Sequence, residues 1–329
     1  MNTPTVRLSC VVPLFNERDN VSAVVEALSR ECEKLGEAWE LVMVDDGSTD
    51  GTWEEISAHL SGYSNITAIR FTRNFGKEAA IQAGLRFAQG SVLVTLDADL
   101  QHPPELIKPM WDLLNDRTND VKIVSATKVR RQSESFSRRL SARFFYWLFR
   151  RTSSIDLETS TDYKMLTRDV RDAYLALPES HRFYRGLTRW LGYPERSVEF
   201  EIPQRPNNEQ SRWSTWQLLQ YAFRSLISFS HFPIRLLGWL GAITLALSLV
   251  LGAQTLFNKI TGEAVEGFTT VILVILIIGS ILMIGLSVIG AYIAEIFHQV
   301  RLRPAYVVLD VLPARTAPAD ANKSSPVGY

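Results

Sequence analysis

Short apolar runs alternate with helical patterns through the N-terminal part of the chain. Each run is followed by a polar turn and then by a segment whose apolar residues recur with helical spacing. Strands and helices that alternate with short connections predict an α/β fold, a mostly parallel sheet with helices on both faces. The predicted strands are 8–14, 40–44, 66–71, 91–96 and 121–126, and the predicted helices are 21–35, 52–60, 77–89 and one after Pro103-Pro104.

The C-terminal third has a different pattern. Residues 236–258 and 267–294 form runs of 23 and 28 residues without a charge. Each exceeds the roughly 20 residues that a membrane-spanning helix needs. A pair of buried core helices is the alternative, but only the short polar segment 259–266 separates the runs. We therefore predict two transmembrane helices.

Basic residues flank both apolar runs on their outer sides. Arg224 and Arg235 precede the first run, Arg301 and Arg303 follow the second, and the intervening loop carries one Lys and two Glu. The excess of cationic residues in cytoplasmic loops predicts an external loop, with both termini and the N-terminal α/β domain at the cytoplasmic face of the plasma membrane. The N-terminal residues contain no apolar signal region.

Composition excludes several classes of protein. Lys plus Arg and Asp plus Glu number 35 each, so the balance of charge argues against a dedicated nucleic-acid binder. The two cysteines, Cys10 and Cys32, are too few for a disulfide framework, and both are predicted to be buried reduced thiols.

Polar clusters follow four of the predicted strands. Ligands of open α/β sheets bind at the carboxyl ends of the strands, so these clusters should share one edge. Asp97 and Asp99 alternate after an apolar run, which would point both carboxylates to one side if the backbone there is extended. Carboxylate oxygens suit Mg²⁺ or Mn²⁺. Neither Gly-x-Gly-x-x-Gly after the first strand nor a P-loop is present, so a nucleotide diphosphate would need metal and basic side chains.

Four motifs occur at the ends of the predicted strands. They are Val12-Pro13-Leu14-Phe15-Asn16-Glu17, Val44-Asp45-Asp46-Gly47-Ser48-Thr49-Asp50-Gly51, Arg73-Asn74-Phe75-Gly76-Lys77 and Asp97-Ala98-Asp99-Leu100-Gln101-His102-Pro103-Pro104. Together they resemble the motifs of family 2 glycosyltransferases, and more narrowly those of the polyprenyl-phosphate glycosyltransferases. The resemblance extends over about residues 6–305. It implies a GT-A, Rossmann-like fold, a nucleotide-sugar donor with UDP favoured, a polyprenyl (undecaprenyl) phosphate acceptor, inversion at the anomeric carbon, and a homo-oligomer, with a tetramer suggested.

The same resemblance implies roles for individual residues. The implied nucleotide contacts are Pro13, Asn16, Glu17, Asp45, Asp46, Lys77 and Asp97; the implied ligands of Mg²⁺ or Mn²⁺ are Asp99, Gln101 and Asp97; the implied catalytic residues are Asp162 and Asp99; and the implied phosphate or acceptor contacts are Arg130, Arg131 and Arg205. His102 is interpreted as a turn residue rather than as a further ligand.

The segment around Asp162 departs from the pattern of the relatives. Many of them have Gly-Asp-Phe-Arg where this chain has Thr161, Asp162, Tyr163 and Lys164. A lysine keeps the charge of an arginine but not its fork of donors. A phosphate monoester has a second pKa of about 6 and is largely dianionic at neutral pH. Asp162 is therefore assigned to positioning of the acceptor or sugar, with base action left open.

Two further segments resemble basic acceptor-side motifs of the relatives, namely 182–186 and 205–213. Residues 137–151 and 213–232 combine arginines or aromatic residues with apolar positions, which is typical of interfacial helices. Packing on the sheet or on another subunit is the alternative. The predicted organisation is a catalytic domain 1–212, a juxtamembrane helix 213–235, transmembrane helices 236–258 and 267–294 around an external loop 259–266, and a cytoplasmic tail 295–329.

Two other functions stay open at this stage. A processive polysaccharide synthase shares the sheet, but such enzymes carry Gln-x-x-Arg-Trp, which this chain lacks, and two spans are few for a polymer channel. A non-catalytic scaffold or nucleotide-sugar sensor would not need Asp99, Gln101 and Asp162 together. The identity of the sugar does not follow from the sequence.

Overall fold

A computed structural model describes residues 6–60, 62–116, 118–128, 161–179, 182–200, 232–261, 267–301 and 303–314. The chain divides into two compact units. The first comprises Met1–Leu140, Ile155–Glu209 and Arg303–Tyr329, and the second comprises Ser141–Ser154 and Gln210–Leu302. Most of the two predicted interfacial helices, at 137–151 and 213–232, lies outside the described residues.

Within the described residues, the first unit is built on one mostly parallel sheet of eight strands. The strands are β1 Leu8–Leu14, β2 Trp39–Asp45, β3 Ile66–Phe71, β4 Val92–Thr95, β5 Ile123–Lys128, β6 Lys164–Thr167, β7 Glu195–Phe200 and β8 Val308–Leu312. Their order across the sheet is β7-β5-β6-β4-β1-β2-β3-β8. Strands β4, β1, β2 and β3 are parallel neighbours at its centre, whereas β6 and β8 pair antiparallel.

Helices follow most of the strands, as the α/β pattern predicts. Six residues are expected on the apolar face of the first helix, and five of them, Val21, Val24, Val25, Leu28 and Cys32, are buried. The sixth, Leu35, lies beyond the end of the helix at Glu33 and is partly buried. In the first unit the helices are α1 Val21–Glu33, α2 Thr52–His59, α3 Lys77–Phe87, α4 Ile107–Asn115, α5 Arg168–Ala176 and α6 Tyr184–Trp190.

Close packing of α3 on the sheet depends on one glycine. A Cβ atom at Gly84 would lie 2.3 Å from Cγ1 of Val11 in β1, well inside van der Waals contact. Because α3 crosses the central strand so closely, the start of the helix is held over the carboxyl edge of the sheet. Lys77 and Glu78 occupy that start.

The local pattern predicted the central strands better than the flanking ones. Strands β1 and β3 have the predicted bounds, whereas β5 begins two residues later than predicted. Strands β6, β7 and β8 were not predicted. Strand β8 pairs with the edge strand β3, and the Tyr306 ring stacks on Phe71 with centroids 4.9 Å apart. Residues after the second apolar run thus complete the sheet.

The predicted state of the two cysteines is confirmed. Both are buried and free, and their Sγ atoms lie 3.4 Å apart. The second unit contains two long helices that pack against each other, α7 Phe232–Thr261 and α8 Phe268–Val300. Leu237–Gln254 and Ile277–Ala294 are long and apolar enough to cross a membrane, and none of their residues whose burial is described is buried.

Candidate active site

Residues from three loops meet at the carboxyl ends of β1 and β2. Asn16 adopts a left-handed backbone with φ of 54° directly after β1. Its amide N–H donates to Ser48 Oγ at 2.9 Å, and its side-chain Oδ1 accepts from the Thr49 amide at 2.9 Å. Glu17 N–H donates to Thr52 Oγ1 at 3.0 Å. The loops after β1 and β2 are therefore joined, and Asn16 and Glu17 lie beside residues 48–52 at this edge. Pro13 lies within β1.

Asp45, the last residue of β2, and Asp46, which follows it, accept hydrogen bonds from the loops at this edge. Asp45 Oδ1 accepts from the Ser48 amide at 3.0 Å, and the two oxygens of Asp46 accept from the amides of Phe75 and Gly76 at 2.7 and 2.9 Å. Burial raises the pKa of both carboxyls. Their side chains are buried and support turns, and their predicted contacts with a nucleotide stay predictions.

Gly47 lets the two turns approach each other. Its φ is 70°, and a Cβ atom there would lie 2.4 Å from the carbonyl carbon of Arg73. Only glycine fits both the left-handed backbone and this distance. The loop that leads into α3 is thus held by Asp46 on one side and by the backbone of Gly47 on the other.

Lys77, the first residue of α3, connects two carboxylates. Its Nζ lies 2.5 Å from Asp97 Oδ1 and 2.8 Å from Asp162 Oδ2. Burial opposes the charge of the ammonium, but Asp162 and Asp97 outweigh it and raise the pKa of Lys77 above its ordinary value. The lysine therefore stays charged at any working pH.

Arg185 holds Asp162 from the other side. Its Nε donates to Asp162 Oδ1 at 2.7 Å and its Nη2 donates to Oδ2 at 2.9 Å, which is the forked geometry of strong arginine–carboxylate pairs. Burial alone would raise the pKa of the Asp162 carboxyl, but Arg185 and Lys77 outweigh it and hold this pKa well below the usual range. We name Lys77, Asp97, Asp162 and Arg185 the Asp162 cluster; it contains two cations and two carboxylates.

A buried layer supports the Asp162 cluster. The Thr95 hydroxyl donates to the backbone carbonyl of Asp162 at 2.5 Å and lies 3.1 Å from the phenol oxygen of Tyr184. Glu78 Oε2 accepts from the Tyr184 amide at 2.9 Å. No role was predicted for Thr95, Glu78 or Arg185 individually. Glu78 adjoins Lys77 in the sequence, and Arg185 lies in the basic segment 182–186, so both had a signal nearby.

Asp97, Asp99 and Gln101 follow β4, but the alternation expected from an extended backbone is wrong here. The strand ends at Thr95, and Leu100 has a φ of 52°, so this segment is a turn. Asp99 Oδ1 accepts from the Gln101 amide at 3.1 Å. His102 is buried against the ring of Tyr163, and its Nδ1 accepts from the Asp97 amide at 3.3 Å, as fits the predicted turn residue.

The oxygen donors of this turn suit a hard divalent cation. Asp99 is exposed and Asp97 is partly exposed, so their carboxylates are open to solvent. Within the described part of the chain, no group of three His, Cys, Asp or Glu residues could hold a metal by itself. A cation here would need the amide oxygen of Gln101 and oxygens of a ligand to complete its coordination.

The residues that replace the pattern of the relatives are all accommodated. Thr161 Oγ1 donates to the Ala126 carbonyl, and Tyr163 Oη donates to the Pro103 carbonyl at 3.0 Å. Lys164 is fully buried, with Nζ 2.8 Å from Ser125 Oγ and 3.1 Å from Glu195 Oε1. Lys164 therefore has a structural partner inside the sheet. The predicted phosphate contacts Arg130, Arg131 and Arg205 lie outside the described residues.

The fold is that of the GT-A glycosyltransferases, as predicted. Glucosyl-3-phosphoglycerate synthase from Mycobacterium tuberculosis, crystallised with UDP, superposes with a TM-score of 0.50 at 19% identity, over 68% of this chain and 79% of that chain. A model of glycosyl transferase family 2 matches residues 9–172.

Two relatives match over nearly their whole length. An uncharacterised glycosyltransferase of Synechocystis sp. is 35% identical over 309 residues, which is 93% of this chain and 96% of the relative. A prophage bactoprenol glucosyl transferase homolog of Escherichia coli is 31% identical over 306 residues, 92% of this chain and 98% of the relative. The chain belongs to glycosyl transferase family 2 and is a glycosyltransferase.

Proposed function

We propose that this enzyme moves one sugar from a nucleotide diphosphate sugar, most simply a UDP-sugar, to polyprenyl (undecaprenyl) phosphate at the cytoplasmic face of the membrane, with inversion. The observation that carries the proposal is the extent of the match to a relative named for transfer to bactoprenol. That match covers 92% of this chain, more than the catalytic unit alone. The two long apolar helices would anchor the enzyme in the membrane that contains a lipid acceptor.

The proposed reaction is a direct displacement at the anomeric carbon. An oxygen of the lipid phosphate forms a bond to this carbon, the bond from the carbon to the β-phosphate oxygen breaks, and its electrons leave with the nucleoside diphosphate. A phosphate monoester is largely dianionic at neutral pH, so no proton has to be removed from the nucleophile. The enzyme has to align two anions and stabilise the leaving group.

The Asp162 cluster is suited to that task. Arg185 presents donors in a planar fork, and Lys77 presents a compact ammonium, so an anionic acceptor would meet two cations whose positions Asp162 already restricts. Because Arg185 and Lys77 keep the pKa of Asp162 low, this carboxylate is a weak base. The arrangement supports a positioning role for Asp162.

A divalent cation, Mg²⁺ or Mn²⁺, would be held by Asp99 and Gln101 with help from Asp97, and it would neutralise charge on the leaving diphosphate. On this assignment Lys77 sits between the donor side, marked by Asp97, and the acceptor side, marked by Asp162. The basic residues that follow β5, Arg130 and Arg131, and the later Arg205 are proposed to add positive charge toward the phosphates.

The test is incubation of the membrane protein with polyprenyl phosphate and a panel of UDP- and GDP-sugars in the presence of Mg²⁺ or Mn²⁺. Mass spectrometry of the lipid should show one added sugar on a single phosphate, with release of a nucleoside diphosphate. A diphosphate-linked product would identify a phosphosugar transferase, and a lipid-linked polymer a processive synthase. Absence of turnover with every donor would favour a sensor.

A further inference from the structure

Glu78 lies beside the Asp162 cluster but has no role in the proposed reaction. It follows Lys77 in the first turn of α3, yet the two side chains serve different partners. Lys77 reaches Asp97 and Asp162 directly, whereas Glu78 Oε2 accepts from the backbone amide of Tyr184 at 2.9 Å. Tyr184 is the first residue of α6, and its side chain is fully buried.

The next residue of α6 is Arg185, whose guanidinium grips both oxygens of Asp162. The backbone that leads into Arg185 is therefore fixed by two contacts of Tyr184. The amide of Tyr184 is bonded to Glu78, and its phenol oxygen lies 3.1 Å from Thr95 Oγ1. Thr95 in turn donates to the carbonyl of Asp162. The same buried threonine therefore contacts both Asp162 and the residue that precedes Arg185.

These contacts form a closed path. Glu78 bonds to the Tyr184 amide, and the next residue, Arg185, bonds to the Asp162 carboxylate. Asp162 in turn contacts Lys77, which precedes Glu78 in the chain and closes the path. A first-turn amide has no partner within its own helix, so an acceptor from outside can fix where the helix begins. A shift of Tyr184 would move the Arg185 Cα by a similar amount and misalign a fork that requires defined geometry.

We propose that Glu78 is a positioning residue, which sets the start of α6 and thereby aims Arg185 at Asp162 and at the phosphate of the acceptor. This role rests on the proposed function for its acceptor side. Glu78 needs only an acceptor oxygen of the right reach, not a charge. Its expected signature is an effect on the acceptor that depends on Arg185 and leaves use of the donor nearly unchanged.

The experiment compares Glu78→Gln, Glu78→Ala and a matched control, Glu54→Ala, in the full-length protein. Glu54 is an exposed glutamate in the first turn of α2, as Glu78 is a glutamate in the first turn of α3, and it has no described contact with the Asp162 cluster. Glu78→Ala should lower kcat/KM for polyprenyl phosphate by about tenfold or more and change the KM for the nucleotide sugar by less than about twofold. Glu78→Gln, which keeps the acceptor oxygen, should restore most of the loss, and Glu54→Ala should match wild type.

A double-mutant cycle tests the path itself. If Glu78 acts through Arg185, then Glu78→Ala should cause little further loss in a chain that already carries Arg185→Ala. Independent, additive losses would overturn the proposal. A Glu78→Gln variant as impaired as Glu78→Ala would also overturn it, since this indicates an effect of charge. So would equal losses for donor and acceptor together with a lower Tm, since these indicate a merely structural role.

Hydrogen exchange of the peptide 182–190 separates this inference from the proposed function. Glu78→Ala should speed exchange of the Tyr184 amide, while Glu78→Gln and Glu54→Ala should not. Unchanged exchange in Glu78→Ala would overturn the inference whether or not the enzyme uses a lipid acceptor. An inactive wild type would instead overturn the proposed function. If Glu78→Ala does not fold, Glu78→Asp, whose shorter side chain withdraws the acceptor, gives the same comparisons.

Discussion

Replacement of Asp162 by asparagine tests the central arrangement of the site. The substitution keeps size and shape but removes the charge that Lys77 and Arg185 share. The aspartate side chain is only 9% exposed, and it accepts three charge-assisted hydrogen bonds, at 2.7, 2.8 and 2.9 Å. Its two partners are 39% and 38% exposed, so solvent screens part of each interaction.

The size of the effect follows from these contacts. Hydrogen bonds to charged groups contribute about 1.5–3 kcal/mol each. We take the lower end because both cations are partly exposed, and we count each cation once, which gives about 3 kcal/mol for the two partners. If the cluster is used in the transition state, this corresponds to a loss of about a hundredfold in kcat/KM.

The assay is single-sugar transfer to polyprenyl phosphate, measured across a range of pH for wild type and Asp162→Asn. A positioning role predicts that the acid limb of the profile persists in the variant, because it reports the acceptor phosphate, whose second pKa is about 6. Arg185→Lys serves as the companion variant and should lose the fork but keep the charge. An Asp162→Asn enzyme with more than about a tenth of wild-type kcat/KM, or one whose acid limb disappears, would refute the reasoning.

Three further outcomes are expected. Asp99→Ala should bind Mn²⁺ about tenfold more weakly than wild type, as measured by electron paramagnetic resonance with UDP present to supply the remaining oxygen ligands, whereas the surface control Asp112→Ala should not. Full turnover of Asp99→Ala with supplied Mg²⁺ would contradict the metal assignment. Burial and the nearby charge of Asp162 raise the pKa of Glu78 from 4.5 to about 8. Between these two pH values the folded state keeps a proton that the unfolded state releases. Wild type should therefore lose thermal stability relative to Glu78→Gln as the pH rises from 4.5 toward about 8, and parallel melting curves for the two proteins would argue against this shift. Tyr306→Ala, which removes the ring stacked on Phe71, should destabilise the catalytic unit by about 1–2 kcal/mol and lower Tm, while exposed Val307→Ala should change Tm little; equal effects of the two would contradict a role for the stack.

Much of the central fold could be read from local patterns. The runs that form β1 and β3 are short, apolar and bounded by turn residues, and such signals depend on a few neighbouring positions. The flanking strands carry no comparable pattern. Strand β6 contains Lys164, which is tolerated there because Ser125 and Glu195 are brought to its ammonium by pairing with β5. Strand β8 is short and follows the apolar helices, and it pairs with β3, which lies far from it in the sequence. No local pattern predicts that pairing.

The candidate site divides in the same way. The motifs after β1, β2 and β4 identified the edge, because the ends of parallel strands must meet there. They did not reveal which atoms bond. Asp45 and Asp46 are buried turn acids, and the Asp97 segment is a turn rather than a strand, as hydrogen bonds to particular amides show.

By itself, the amino-acid sequence determined the α/β class, the apolar C-terminal helices and the acidic edge, since each depends on the kind and spacing of nearby residues. Only the tertiary structure decided which charges are paired. Asp162 meets Lys77 across 85 positions, and Glu78 meets Tyr184 across 106. These pairs form because α3 and α6 pack over the same end of the sheet, and burial there makes each charge or amide depend on a partner that no local pattern encodes.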